Sequence, residues 1–459
     1  MRRGFFLGTA AMLLTLLALG GCSDERAAEA EAPAVLKVAD VDQRNFYNMY
    51  GDYIGAVYPD TDIQLITTSA ATDYKISREE RLQRWKELLA NETPDLIVIR
   101  DDETYRMLAD EGLLVDLAPF MQASQLSDKQ LHPGVIEYMK QNRDGLMYGM
   151  GTTFSATRLY YNEDLFREYG IDPPHDGMTW TELLDLAYRF TAASAAPDAP
   201  IGYYQAWSGP SELASTIGMT EGISMYRLSA GTMTVDTPAW RKVFDTVLSS
   251  YKSGTFRALT PAGEQSEDGE TYYDAAALKG VDLFAKGKAA MTIAYYDSYK
   301  TDSAKFTVKS VNPPVDEATR TRSYSFYANQ KLAIRSGSPQ TKASWNFIRF
   351  MVSDYVAKVS ASQTMDIGMP SNLAFQQYAR DEAAAALYRQ MPAMPPLDEG
   401  AAVDGGFYKE MEDMLKQEIA DALSDKQSVD EMLQRMQEQG QRLIDEARNK
   451  ADGMNNPRD

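Results

Sequence analysis

The sequence predicts an α/β protein, and three observations carry that expectation. Short apolar runs recur, at residues 36–41, 63–66 and 96–99. The last of these, Leu96-Ile97-Val98-Ile99, has no polar alternation, which is the pattern of a strand covered on both faces. Between such runs the apolar residues recur at helical spacing, as with Leu82, Trp85 and Leu89. Strands alternating with helices predict α/β units over a mostly parallel sheet.

Each element follows in order. Residues 46–58 carry helical spacing between the first two strands, and Pro94-Asp95 ends the helix at 81–90. A helix through Tyr105 and Leu108 stops at Gly112. Arg158-Leu159-Tyr160-Tyr161 reads as a strand and Ile171-Asp172-Pro173-Pro174 as a turn. Thr179 and Glu182 form a capping box, and Leu183, Leu186, Ala187 and Phe190 line the helix it starts. Thr237-Pro238 starts another helix, with Trp240, Phe244, Val247 and Tyr251 on its inner face and Gly254 beyond its end. Residues 261–273 are acidic and loop-like, and 289–294 are again a strand. Trp345, Ile348, Val352 and Tyr355 predict one further helix. The tail predicts two helices, over 407–423 and from a capping box at Ser428 and Glu431. Their apolar positions hold no heptad, so they are expected to pack on a neighbouring unit and not to form a coiled coil.

The N-terminus reads as an export signal. Arg2 and Arg3 precede an apolar stretch that runs into Leu19-Gly20-Gly21-Cys22. The stretch is shorter than the roughly 20 apolar residues a membrane-spanning helix needs. The chain has a single cysteine, and Cys22 is placed where no fold precedes it. Leu19-Gly20-Gly21-Cys22 resembles the bacterial lipobox, which implies lipid on the Cys22 thiol and cleavage after residue 21. Two acyl chains suffice for stable anchoring where one does not. Residues 22–34, rich in Ala and Glu, then form a tether with too little apolar surface for a core, reaching roughly 20 Å as a flexible coil.

Composition narrows the partners. With 46 Lys and Arg against 66 Asp and Glu, the net charge is −20. Such acidity argues against nucleic acid, whose phosphates call for basic surfaces, and leaves the lipid as the membrane anchor. The length suffices for two or three domains, each with its own core. Motifs for a serine hydrolase, a zinc protease, a phosphate-binding loop or a calcium loop are absent, and no cofactor or metal is expected. The two histidines, His132 before Pro133 and His175 after Pro173-Pro174, sit in turn-like contexts unsuited to a catalytic base. Paired carboxylates carry no sequence signature, so a secreted hydrolase stays open as an alternative.

Eight segments, in order, match a known family. They are Thr93-Pro94-Asp95-Leu96-Ile97, residues 108–117, Asp144-Gly145-Leu146-Met147-Tyr148-Gly149, and residues 159–166. The others are Met178-Thr179-Trp180-Thr181-Glu182-Leu183, residues 284–291, residues 343–350, and Ile367-Gly368-Met369-Pro370-Ser371. On these the chain resembles the family 1 extracellular solute-binding proteins of ABC importers, the group that includes maltose-binding protein. The resemblance implies a two-lobed periplasmic-binding-protein-like fold with a hinge and an interlobe ligand cleft. It implies lobes of 35–153 with 327–370 and of 154–326 with 371–459, and crossovers near 151–155, 323–327 and 369–372. It further implies a monomer that binds a small solute, expected to be a carbohydrate or oligosaccharide, and delivers it to permease subunits. A non-sugar solute, or a role as ligand sensor for a membrane receptor, is the alternative within the same fold.

Ligands in open α/β sheets sit beyond the carboxyl ends of strands. That rule selects Asp40 and Asp42 after the first strand and Arg100, Asp101 and Asp102 after 96–99, whose charged groups offer paired hydrogen bonds to hydroxyls. Aromatic faces that would cover a sugar ring are sought at Phe154, beside Ser155, at Trp207 in a Gly/Pro/Ser loop, at Tyr295 and Tyr296 beside Asp297, at Tyr324 and Tyr327, and at Tyr408. Tyr295-Tyr296-Asp297 stands where sugar-binding members often carry a tryptophan. For the N-terminus, the expected outcome is an acylated Cys22 on the mature N-terminal peptide by mass spectrometry. Cys22→Ala is expected to leave the membrane fraction or to remain uncleaved; an unacylated mature N-terminus in the parent protein would refute the lipid assignment.

Overall fold

Two mixed sheets, each with its own core, organise the chain in the computed structural model, which describes residues 33–455 apart from 74–75, 128, 142–144, 195, 197–198, 266–270, 297, 300–303, 362–367, 379–381 and 395–404. The expected signal peptide, Cys22, most of the expected tether and Asp297 lie outside the described residues.

The first sheet runs Asp62–Thr67, Val35–Asp40, Leu96–Ile99, Lys331–Ile334 and Met150–Gly151. Its first three strands are parallel, and the last two are antiparallel additions. Leu36, Val38, Leu96, Ile97 and Ile99 are buried against Phe46 and Trp85 of the flanking helices Gln43–Val57 and Arg78–Asn91. The second sheet runs Val308–Val311, Thr153–Asn162, Ala289–Tyr295, Ile201–Ala206 and Phe256–Leu259. Here Ala289–Tyr295, Ile201–Ala206 and Phe256–Leu259 are parallel, and Thr153–Asn162 pairs antiparallel with Ala289–Tyr295 on one side and Val308–Val311 on the other. The expectation of mostly parallel sheets is therefore corrected. Strands re-entering a lobe from the other one, Thr153–Asn162 and Lys331–Ile334, arrive against the direction of the βα units.

The second core gathers Leu183 and Phe190 of the helix Trp180–Ala193 with Trp240 and Phe244 of the helix Pro238–Lys252. The capping box is formed: Glu182 N donates to Thr179 Oγ1 (3.3 Å) and Thr179 N to Glu182 Oε2 (2.9 Å). The tail helices Gly405–Leu423 and Val429–Asn455 add Phe407, Met411, Leu433, Met436 and Ile444 to this core. Gln437 fixes the last helix by accepting from Val235 N (3.1 Å) and donating to Met233 O (2.8 Å). Phe375, Ala384, Leu387 and Tyr388, although they follow residue 371, pack in the first core.

Two local readings differ. The stripe from Trp345 to Tyr355 is two helices, Thr341–Met351 and Asp354–Ser360, because Ser353 caps the second by accepting from Val356 N (3.4 Å). The 261–273 segment contains an antiparallel pair, Glu264–Gln265 with Thr271–Tyr272.

The lobes are joined by a three-stranded ribbon. Phe326–Ala328 pairs with 154–156 on one side, and Met369–Pro370 pairs with 153–154 on the other. His132 lies fully buried under this ribbon, its ring 4.8 Å from that of Phe154, 5.1 Å from Phe326 and 5.6 Å from Tyr388. Its Nδ1 accepts from Gly134 N (2.9 Å). It is a packing residue and helix cap, not the turn residue its sequence context suggests. Burial pushes the imidazole down from 6.5 to about 4. The unfolded chain therefore binds a proton between these pH values that the fold excludes. Stability from this source is full above pH 6.5 and falls as pH drops towards 4, by about 3 kcal/mol. His132→Asn, which keeps an acceptor for Gly134 N, is expected to flatten the pH dependence of unfolding by about that amount between pH 7 and 4, read by denaturant titration. Parallel slopes for the two proteins would refute the assignment.

Candidate binding site

A cavity of about 570 Å³ opens between the lobes. Arg100, Asp101, Asp102, Arg106, Tyr138 and Lys331 wall it from the first lobe, and Trp180, Tyr203, Gln205, Leu213, Thr216 and Tyr295 from the second. Residues 323–328, entering the ribbon, close one side.

The first wall is fixed by charge pairing. Arg100 grips Asp40 through three hydrogen bonds, Nε to Oδ1 (3.0 Å) and Nη2 to Oδ1 (2.8 Å) and Oδ2 (2.9 Å). Burial raises the Asp40 carboxyl, and the Arg100 charge opposes that shift. Asp101 caps the helix Asp102–Asp110 by accepting from Thr104 N (2.6 Å). Asp102 lies 2.8 Å from Lys331 Nζ and accepts from the Tyr138 hydroxyl. Burial and the Asp102 charge raise the Tyr138 phenol well above its usual range. Lys331 is buried, and besides this ion pair its ammonium donates to Ala328 O (3.2 Å) and Asn329 O (3.1 Å).

The facing wall is aromatic and amidic. Trp180 Nε1 donates to Thr220 Oγ1 (3.2 Å), and its rings pack edge-on to Tyr203. Tyr203 OH donates to Gln205 Oε1 (3.0 Å), which leaves the Gln205 amide NH2 as a donor. Tyr295 and Tyr327 meet across the ribbon, with Tyr327 OH donating to Tyr295 OH (3.0 Å). Burial and that bond push the Tyr327 phenol up to about 12. The cavity thus offers flat aromatic faces, neutral donors and acceptors, and paired charges.

Of the residues sought in the sequence, Arg100, Asp101, Asp102, Tyr295, Tyr324 and Tyr327 line this cavity. Asp40 stands behind Arg100, buried by that pair. Asp42 is the exposed cap of the helix Gln43–Val57, accepting from Asn45 N (2.8 Å). Phe154 is core, stacked on Phe326 at 4.9 Å, and Ser155 donates to Asn329 Oδ1 (2.8 Å). Tyr296 is buried in the first core. Trp207 is exposed at a left-handed φ of 65°, its rings edge-on to Tyr273 at 4.5 Å and outside the cavity wall. Tyr408 is exposed on a tail helix beside Phe407. Sequence reasoning missed Arg106, Tyr138, Gln205 and Lys331. The strand-end rule, applied to 201–206, would have reached Gln205 and Ser208; Lys331 opens a strand and carries no comparable signal.

The comparisons with known proteins agree with this architecture. Residues 86–358 match the model of the family described as bacterial extracellular solute-binding protein. The sn-glycerol-3-phosphate-binding periplasmic protein UgpB of Brucella abortus (strain 2308) is 25% identical over 207 residues, 44% of each chain. The chain thus aligns with less than half the length of the curated relatives it matches. Among solved structures, the sugar-binding protein MalE of Xanthomonas citri superposes with a TM-score of 0.62 at 15% identity, covering 91% of this chain and 99% of that one. UgpB of Mycobacterium tuberculosis, solved with glycerophosphocholine, gives 0.57 at 15% identity, covering 90% and 99%. With a family model matched over more than half its length and two separately cored lobes around a cleft, the chain belongs to the bacterial extracellular solute-binding proteins.

Proposed function

We propose that the protein is the solute-capturing component of an ABC importer, exported and held at the outer face of the membrane by lipid on Cys22. The solute is polyhydroxylated, a carbohydrate or a close relative of one, and it passes unchanged to the permease subunits. The carrying observation is a cavity walled by two lobes with separate cores, beside the narrow ribbon that links them. A solute that touches both walls favours the closed arrangement by its differential affinity for it. The lobe division that fits the cores is 33–153 with 326–388, and 157–323 with 405–455.

Aromatic faces beside hydroxyl-sized donors suit a sugar ring, whose C–H face is apolar and whose edge hydrogen-bonds. The proteins it resembles are named for a sugar, glycerol 3-phosphate and glycerophosphocholine, all molecules that carry hydroxyls. That shared feature supports the class of solute.

A thermal-shift screen over neutral and charged sugars and polyols is expected to identify a binder, since a ligand at about 100 times its Kd stabilises by about 2.7 kcal/mol. With that binder, small-angle scattering is expected to show a smaller radius of gyration, and mass spectrometry to recover the solute intact. Tyr295→Ala, which removes an exposed face on the cavity wall, should weaken binding about tenfold. Trp207→Ala should leave affinity within roughly twofold. A constant radius at saturation refutes closure, and turnover of the solute refutes the non-enzymatic reading.

A further inference from the structure

We propose that the cavity selects a solute carrying an oxyanion, a phosphomonoester or a carboxylate, through the guanidinium of Arg106. The proposal rests on the reading that this cavity binds solute.

Arg106 lies on the helix Asp102–Asp110, half-buried on the cavity wall. Helix geometry offers an arginine acidic partners three and four residues away. Asp102, four residues before, is already committed to Lys331 and the Tyr138 hydroxyl. Glu103, three residues before, is bound by Arg81. Asp110, four residues after, is engaged elsewhere. Arg106 itself makes no hydrogen bond or ion pair with any described residue.

The other cations on the wall contrast with it. Arg100 is spent on the buried Asp40, and Lys331 is held by the Asp102 charge and two carbonyl oxygens. Asp101 is occupied at a helix N-terminus, where the peptide dipoles stabilise its charge. Among the described charges on the wall, the one left unbalanced is therefore a cation. In the open cleft water satisfies it. As the lobes close, that water leaves, and an unpaired guanidinium in a low-dielectric cavity is costly. A solute oxyanion restores the balance, and the planar fork of the guanidinium matches two oxygens at once. A neutral hydroxyl pair can accept the hydrogen bonds but leaves the charge unmatched.

The test is calorimetric titration with matched probes: glucose, glucose 6-phosphate and glucuronate, then glycerol and glycerol 3-phosphate. An anionic member is expected to bind at least about tenfold more tightly than its neutral counterpart, more weakly as salt rises. Arg106→Gln should remove that preference, and Arg106→Lys should restore part of it. Both variants should melt with the parent, because no pair is broken; a clear loss of melting temperature would show a structural partner and overturn the proposal. A neutral probe that binds as tightly as its anion, or anion binding unchanged in Arg106→Gln, also overturns it while solute binding stands. If no probe binds, charged or neutral, the solute-binding reading falls and the proposal with it.

Discussion

The ribbon between the lobes is the constraint on which the rest depends. One strand, Thr153–Asn162, pairs at its start with Phe326–Ala328 and Met369–Pro370, and further along with strands of the second sheet. The first two passages between lobes, near 153–157 and 323–326, are thereby hydrogen-bonded into one element together with Met369–Pro370 of the first lobe. Its inner face is sealed by Phe154 stacked on Phe326 over the buried His132. Gly368 sits just before the ribbon strand Met369–Pro370, at φ 95°, and a Cβ there would lie 2.8 Å from Phe154 O. Only glycine suits both that backbone conformation and that approach.

The ribbon also sets the cavity wall. Lys331 follows it directly and spends its ammonium on Ala328 O, Asn329 O and Asp102, which ties the exit of the second passage to the start of the helix Asp102–Asp110. Buried pairs of this kind contribute little net stability, but breaking one strands an unmatched charge. What they supply is position: Arg100, Asp102 and Tyr138 reach the wall with their orientations already fixed, and less conformational entropy is lost when a solute arrives.

The sequence was most legible where local chemistry decides structure. The uninterrupted run Leu96–Ile99 is a fully buried strand, and the Thr179 and Glu182 capping box forms as its spacing demands. It was least legible where distant segments decide. Nothing local in Thr153–Asn162 tells that it runs antiparallel to Ala289–Tyr295, and Ser353 splits a stripe whose periodicity looks continuous. At the candidate site, the strand-end rule reached residues of the cavity wall but not what each does in the fold. Asp40 and Asp42 obey it, yet one is consumed by Arg100 and the other by a helix end. The aromatics divide by the period of the pleat. Ser155 pairs with Tyr327, and the alternate positions Phe154, Ala156, Phe326 and Ala328 all join the first core. Trp207, sought for its loop context, stands outside the cavity wall with its indole edge-on to Tyr273.

On the reading that this cavity binds solute, these features locate the discrimination between solutes. Closure must dehydrate groups on both walls, and each group that already has a protein partner adds little to the difference between one solute and another. Arg100, Lys331, Asp101 and Asp102 are in that condition. Arg106, the Gln205 amide and the faces of Tyr295 and Tyr327 are not, since they depend on water or solute for contact on the cavity side. An unmatched buried donor costs more than a well-made bond contributes, so these few groups weigh most heavily against a poorly fitting solute. On that reading, the paired charges hold the shape of the first wall, and Arg106 with the incompletely satisfied groups opposite decides which molecule makes closing favourable.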